Sequence, residues 1–170
     1  FGLPLQVLAL QPIESWQLSN GVEVLFMERH EIPMVDIRVT FSAGSARDGG
    51  FPGLASLTNG LLREGSDGVD PTAMAARFEN VGAVLGNGSA RDMAWLTLRS
   101  LRRQDALDEA LDTFRLVMMQ PDFVPQAIER DRRQMLVGIQ ARAQSPSAIA
   151  NEAFYRALYP EHPYGEPTGG

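Results

Sequence analysis

The sequence predicts an α+β fold in which an antiparallel sheet carries helices packed on one of its faces. Three observations predict it: short runs of alternating hydrophobicity between glycine-rich turns, longer runs with helical periodicity, and the order of these runs. Strands come first, followed by two helices, further strands and three final helices, an order typical of α+β proteins. With 170 residues, of which 44% are hydrophobic, the chain can bury one core, and we expect a single domain over residues 1–170.

Two strand regions open the chain. The stretch WQLSNGVEVLFME contains two β-like runs around Ser19, Asn20 and Gly21, and an Asn-Gly pair is a strong hairpin signal. The stretch MVDIRVTFSAGS has apolar residues at every second position from Val35 to Phe41. This alternation predicts a half-buried strand, after which several glycines form a loop.

Two helices follow this loop. The stretch PGLASLTNGLLREGS predicts a helix that Pro52 opens and Gly65 closes, because proline favours the first helical position and glycine the position past the end. Asp70 is the predicted N-cap of the next helix, whose apolar stripe includes Met74 and Phe78.

A second hairpin and three helices complete the predicted elements. The runs AVLGNG and DMAWLTLRSL predict two strands that turn through Gly86, Asn87 and Gly88. The last three helices are predicted at residues 105–119, 125–143 and 146–158.

The composition excludes several classes of function. A formal net charge of −6 and a pI near 4.9 disfavour nucleic acid or an anionic membrane as a partner, because both require a basic surface. The absence of cysteine excludes disulfides, thiolate metal sites and a cysteine nucleophile. No apolar run approaches the roughly 20 residues that cross a bilayer. The apolar start without Met and the abrupt ending HPYGEPTGG indicate a piece of a longer protein, with its domain truncated at the C-terminus.

The helix predicted from PGLASLTNGLLREGS carries polar residues that nothing local explains. Its apolar stripe, which we expect to face the core, consists of Leu54, Leu57 and Leu61. Ser56, Asn59 and Gly60 fall together on the opposite side. Their i, i+3, i+4 spacing is the one by which a helix offers two metal ligands and a catalytic carboxylate, yet none is a ligand or a carboxylate. A mid-helix glycine costs up to about 1 kcal/mol relative to alanine, so Gly60 requires the close approach of another surface or relaxed selection.

The chain resembles the N-terminal domain of the M16 metallopeptidases, the family of pitrilysin, insulinase and mitochondrial processing peptidase, over nearly its whole length. The similarity includes the LSNG hairpin, the AGS strand end, the GLA helix entry and the HPYG turn. The resemblance implies the LuxS/MPP-like metallohydrolase fold. In active members an HxxEH motif lies on the helix described above, where two His bind zinc and the Glu activates water. A further Glu on a later helix completes the metal site.

The residues of this motif are replaced in the present chain. Carried over by position, the first His falls on Ser56, the base Glu on Asn59 and the second His on Gly60. In active members 76 residues separate the second His from the last Glu, and the same interval leads from Gly60 to Val137. Val137 is an apolar residue on an otherwise polar helix face. Because none of these side chains supplies an imidazole or a carboxylate, the resemblance implies no catalytic residue, no metal and no cofactor in this chain.

The resemblance implies a non-catalytic subunit that pairs with a zinc-bearing M16 peptidase and helps to form the chamber in which an extended peptide binds. A peptide that adds to a sheet edge gains affinity through main-chain hydrogen bonds, and an acidic subunit favours basic peptides. Two alternatives stay open: a scaffold subunit without a role in proteolysis, and a peptidase with relocated chemistry. The resemblance also implies a location in the bacterial periplasm.

Other candidate catalytic or metal sites are weakly supported. Ser56 as a nucleophile would need a base beside it, and no sequence argument places His30 or His162 there. The two histidines also lack a third ligand at a recognisable spacing, so they do not predict a metal site. The stretch GNGSA lacks the pattern of a phosphate-binding loop.

Two charged clusters have simple structural interpretations. Glu64, Asp67 and Asp70 lack the spacing of a calcium-binding loop, so we interpret them as a solvated loop and an N-cap. Three arginines share one helix with two acidic residues: Arg130, Arg132 and Arg133. Such mixed charge is typical of a solvated face, and a partner surface is the alternative.

Overall fold

A computed structural model of the chain describes residues 12–170. The apolar start, residues 1–11, lies outside the described residues. The strands are β1 (Glu14–Gln17), β2 (Glu23–Phe26), β3 (Met34–Phe41), β4 (Val84–Ser89) and β5 (Ala94–Leu101). The helices are α1 (Leu54–Leu61), α2 (Pro71–Asn80), α3 (Gln104–Met119), α4 (Pro125–Arg142) and α5 (Pro146–Leu158).

The chain divides into two compact units, one that ends at Pro33 and one that comprises Met34–Gly170. In the first unit β1 and β2 form the predicted antiparallel hairpin. The amide of Leu18 donates to the carbonyl oxygen of Val22 at 2.9 Å, and Gly21 takes the left-handed φ of 87° that the turn requires. The prediction of a single domain over residues 1–170 stays a prediction.

The second unit is built on a three-stranded antiparallel sheet with the order β3-β5-β4. Along β5 the side chains alternate, so that Leu96 and Leu98 are buried while Arg99 is exposed. The core on the buried face is completed by α2 and α3, from which Phe78 and Phe114 pack against these leucines. Each such buried side chain contributes about 1.5–3 kcal/mol relative to its exposed state. The predicted α+β class, with helices on one face of an antiparallel sheet, is confirmed.

The predicted turn through Gly86, Asn87 and Gly88 is wrong, because these residues lie inside β4. The chain turns instead after Ala90, whose amide donates to the carbonyl oxygen of Met93 at 2.7 Å. Packing on the outer face of the sheet explains why glycine occupies these two positions. A Cβ at Gly86 would lie 2.5 Å from the hydroxyl of the cross-strand Thr97, and a Cβ at Gly88 would lie 2.5 Å from the ring of Trp95. They are therefore needed to make room for their partners on β5.

The ends of α1 differ from the prediction, whereas the start of α2 agrees with it. The first residue of α1 is Leu54, because Gly53 has a left-handed φ of 93° that ends the preceding turn. The helix ends at Leu61, before Gly65. Its free amides are capped from outside, since the carboxylate of Asp48 accepts from Gly53 N and Ala55 N, both at 2.8 Å.

The N-cap of α2 is Asp70, as predicted, and its carboxylate accepts from Thr72 N and Ala73 N at 2.9 and 3.0 Å. The bounds of α3, α4 and α5 lie within one residue of their predicted positions. Among residues 12–170, no helix combines the length and the apolar composition that a membrane crossing requires.

The HPYG segment is tied to the turn that joins β4 and β5. The ring nitrogen Nδ1 of His162 accepts from the amide of Tyr164 at 3.2 Å, and the hydroxyl of Tyr164 donates to Asp92. This hydrogen bond to the Asp92 carboxylate raises the pKa of Tyr164. In the same turn the Arg91 guanidinium lies 4.2 Å from the centre of the Tyr155 ring on α5.

The AGS segment, which follows β3, packs backbone to backbone on the same turn. The amide of Ser45 donates to Ala90 O at 2.9 Å, and the amide of Ala46 donates to Arg91 O at 2.8 Å. Gly44 is buried in this contact. A side chain at position 44 would overlap the carbonyl oxygen of Arg91 and the amide nitrogen of Met93.

Replacing Gly44 with alanine is expected to lower the free energy of unfolding by about 2–3 kcal/mol, because the methyl group overlaps backbone atoms that cannot rotate away. The matched control is Gly60→Ala in α1, where a methyl group meets nothing within 4 Å. This second change is expected to leave the stability unchanged or to raise it by up to about 1 kcal/mol. Urea unfolding of both variants measures the difference, and equal stabilities would contradict the described packing of Gly44.

Candidate functional site

The helix α1 carries the three positions that the resemblance assigns to the HxxEH motif, and its orientation differs from the prediction. Asn59 was expected on the exposed side, yet it is only 6% exposed, whereas Leu54 of the predicted core stripe is 49% exposed. Leu61 is buried as predicted and Leu57 is half-buried. The reason is that polar contacts with the sheet, together with the leucines, set the rotation of this short helix.

Asn59 is held by hydrogen bonds to both β4 and β5. Its Nδ2 donates to the carbonyl oxygen of Trp95 at 3.3 Å. The Nδ2 of Asn87 donates to Asn59 Oδ1 at 2.9 Å and to Asn59 O at 2.7 Å. Buried polar groups are destabilising unless they are paired, and here both ends of the amide have partners. The residue at the position of the catalytic base therefore serves as an attachment between the helix and the sheet.

The two positions of the zinc-binding histidines have more open surroundings. Ser56 is half-buried, and Gly60 is exposed with open space where a Cβ would lie. Of the two explanations offered for Gly60, the close approach of another surface is not found within the described part of the chain, which leaves relaxed selection. Near α1 there is a mainly apolar cavity of about 420 Å³, lined by residues that include Leu54 and Leu62, but Ser56 and Gly60 do not line it.

Val137 lies on α4, which packs against α1. Val137 is 65% exposed, and the half-buried side of the helix carries Ile128, Met135 and Ile139. Near the end of α1, the Arg130 guanidinium forms an ion pair with Glu64 at 2.7 Å. The structure thus brings the helices of all four replaced positions together.

The side chains at these four positions do not fit a catalytic zinc ion. Serine, asparagine, glycine and valine offer neither an imidazole nor a carboxylate, and the Asn59 amide is already engaged by Trp95 and Asn87. Within the described range 12–170, no group of three or more His, Asp or Glu side chains is placed to hold a metal ion.

The remaining candidates of the sequence have structural roles. His30 is exposed and lies 3.0 Å from Glu28, and His162 caps the turn of the HPYG segment. Asp70 is an N-cap, and Glu64 is paired with Arg130.

Two arginines of α4, Arg130 and Arg132, belong to ion pairs in which the guanidinium group is exposed. Arg130 pairs with Glu64 and Asp131, and Arg132 pairs with Glu129 at 3.0 Å. The hydrogen bond from Arg132 lowers the pKa of Glu129. Exposed pairs of this kind contribute little to stability, which is typical of a solvated face.

The sequence interpretation missed two residues that position α1. Asp48 caps the helix from five residues before Gly53, and a carboxylate just before a helix entry is a recognisable capping signal. Asn87 was assigned to a turn because it stands between two glycines. Its actual role depends on a partner in another element, and no local pattern indicates such a contact.

The chain is similar to a known peptidase family and to a named relative. Residues 23–170 match the family model described as insulinase (peptidase family M16). The protein named non-peptidase homolog YmxG, from Helicobacter pylori, is 26% identical over 150 residues, which cover 88% of this chain and 34% of that protein.

Two solved structures are similar to the chain. A crystal structure of a peptidase M16 inactive domain from Pseudomonas fluorescens has a TM-score of 0.91 and 41% identity, over 94% of this chain and 39% of that one. The crystal structure of a protease from Helicobacter pylori has a TM-score of 0.81 and 19% identity, over 95% of this chain and 39% of that one. This likeness shows the fold alone. The chain therefore spans less than two fifths of the length of the proteins it resembles.

If α1 and α4 retain the geometry of a zinc site, restoring the ligands should restore metal binding. The variant with Ser56→His, Gly60→His and Val137→Glu is expected to bind one zinc ion per chain, since three protein ligands suffice and Gly60 and Val137 have open surroundings. Elemental analysis after dialysis measures the zinc. The control carries Val137→Gln in place of Val137→Glu and is expected to bind more weakly. A folded triple variant without zinc would contradict the assignment of these positions.

Proposed function

This chain belongs to the insulinase family of peptidases (peptidase family M16), and we propose that it is a non-catalytic member that pairs with a separate, zinc-bearing M16 peptidase. Its part in the pair is to complete the chamber in which the peptide substrate binds. The observation that carries the proposal is the state of Asn59, which occupies the position of the general base and is committed to hydrogen bonds with the sheet. An amide does not titrate near neutral pH and cannot activate water.

The similar proteins support the non-catalytic half of this proposal. One of them is named a non-peptidase homolog, and another is described as an inactive M16 domain. The replaced positions Ser56, Gly60 and Val137 agree with those names, because they offer no zinc ligand.

The partner half of the proposal follows from charge and from the mode of peptide binding expected for the family. The chain has a net charge of −6, so a chamber that it helps to enclose would attract basic, extended peptides. Such peptides bind by adding a strand to a sheet edge in the catalytic subunit, which makes few demands on sequence. The zinc ion and the general base belong to that partner. We place this pair in the bacterial periplasm as part of the same proposal.

A scaffold subunit without a role in proteolysis is the second candidate, because the same loss of ligands would suit a purely structural role. A peptidase with relocated chemistry is the third. It would require either a nucleophile with a base beside it or a metal cluster, and the described residues assemble no metal cluster. The three candidate functions predict different zinc contents and peptidase activities for the full-length protein, alone and mixed with an M16 peptidase.

The test measures zinc content and hydrolysis of a basic fluorogenic peptide by the full-length protein, by an M16 peptidase encoded nearby, and by their mixture. We expect no stoichiometric zinc and no hydrolysis from this protein alone, and hydrolysis from the mixture that exceeds that of the partner alone. The control is a mixture in which the partner has been stripped of zinc by a chelator, and this mixture should show no hydrolysis. Stoichiometric zinc or hydrolysis by the isolated protein would overturn the proposal. A partner whose activity is unaffected by mixing would favour the scaffold.

A further inference from the structure

A polar cavity of about 250 Å³ lies apart from α1, where α5 meets the end of α4 and the segment that follows the HPYG turn. Its polar lining includes two arginines and a single unpaired carboxylate, together with an amide and a hydroxyl: Arg91, Arg142, Glu152, Asn151 and Thr168. None of the replaced motif positions lines it. This cavity has no role in the function proposed above.

Backbone oxygens and an aromatic ring hold both arginines in place. The Nε of Arg91 donates to the carbonyl oxygen of Tyr164 at 3.4 Å, and its guanidinium lies over the ring of Tyr155. The Nη2 of Arg142 donates to the carbonyl oxygen of Gly169 at 3.2 Å and to the backbone oxygen of Gly170 at 2.5 Å. In a chain that continues past Gly170 this last oxygen belongs to a peptide bond, and these contacts then orient the guanidinium groups without neutralising their charge. Each arginine has five N–H donors, so several remain for another acceptor.

The cavity has an excess of positive charge. Neither Arg91 nor Arg142 belongs to an ion pair recorded for residues 12–170, and both are half-buried. Of the two carboxylates in the lining, Glu166 is paired with Arg156 at 3.7 Å, which leaves Glu152. Two guanidinium groups therefore face one free carboxylate. This local excess runs against the net charge of −6 of the whole chain.

From this arrangement we propose that the cavity binds a small oxyanion, a carboxylate or a phosphate group, between Arg91 and Arg142. The planar fork of donors in a guanidinium group matches both anions, and partial burial strengthens the charge-assisted hydrogen bonds. The amide of Asn151 and the hydroxyl of Thr168 supply further neutral partners. The volume is suited to a small molecule or to the end group of a larger one.

The experiment is a calorimetric titration of the full-length protein with inorganic phosphate and, separately, with acetate, at constant ionic strength set by chloride. Binding of phosphate alone identifies a phosphate site, and binding of acetate identifies a carboxylate site. Arg142→Gln is expected to weaken the binding about tenfold or more, the value of one charge-assisted hydrogen bond. Glu152→Gln is expected to strengthen it severalfold by removing the opposing charge, a gain that a damaged fold would not produce.

The matched control is Arg99→Gln, since Arg99 is an exposed arginine paired with Asp36 on the outer face of the sheet. It should leave the affinity unchanged. The proposal is overturned if neither anion binds more tightly than chloride. It is also overturned if Arg99→Gln weakens binding as much as Arg142→Gln does, or if Glu152→Gln has no effect. The test needs no partner protein and no peptidase assay, so its failure is distinct from a failure of the proposed function.

Discussion

The amide cluster of Asn59 and Asn87 is the interaction on which the placement of α1 depends. This helix has only eight residues, and an isolated helix of that length is unstable in water. Its stability must come from tertiary contacts. Asn59 bridges it to both strands of the β4–β5 hairpin, and Asp48 caps its first amides. Together these contacts determine which side of α1 faces the sheet.

The same cluster explains why α1 does not carry a modified active site. Its buried amide, Asn59, has a structural role. A catalytic base must reach water and change its protonation state, whereas Asn59 is buried, neutral and bonded at both ends. Gly60, at the position that the resemblance assigns to the second histidine, has open space where a Cβ would lie. Under the proposed function, a chain with this arrangement contributes shape and charge to an assembly, and the zinc chemistry belongs to a partner.

Local signals in the sequence predicted most of the fold. The N-cap Asp70 and the bounds of the last three helices depend on neighbours in the chain, and they were predicted. The failures involve partners on other elements. The glycines of β4 resemble a turn until Thr97 and Trp95 are placed across from them, and the burial of Asn59 depends on Asn87. The replaced motif was found only through the resemblance. An asparagine on a helix does not by itself indicate that its position corresponds to a catalytic base.

A double-mutant cycle on Asn59 and Asn87 tests the central claim most directly. The free energy of unfolding is measured for Asn59→Ala, Asn87→Ala and the double variant. Each single change should cost about 1–3 kcal/mol. Asn87→Ala leaves the buried Asn59 Oδ1 without a donor, and Asn59→Ala removes the donor to Trp95 O and one of the two acceptors of Asn87 Nδ2. If the two amides form one attachment, the double variant should be more stable than the sum of the single effects predicts, by about 1 kcal/mol or more. Additive effects, within about 0.3 kcal/mol, would mean that Asn59 does not fasten α1 to the sheet through Asn87.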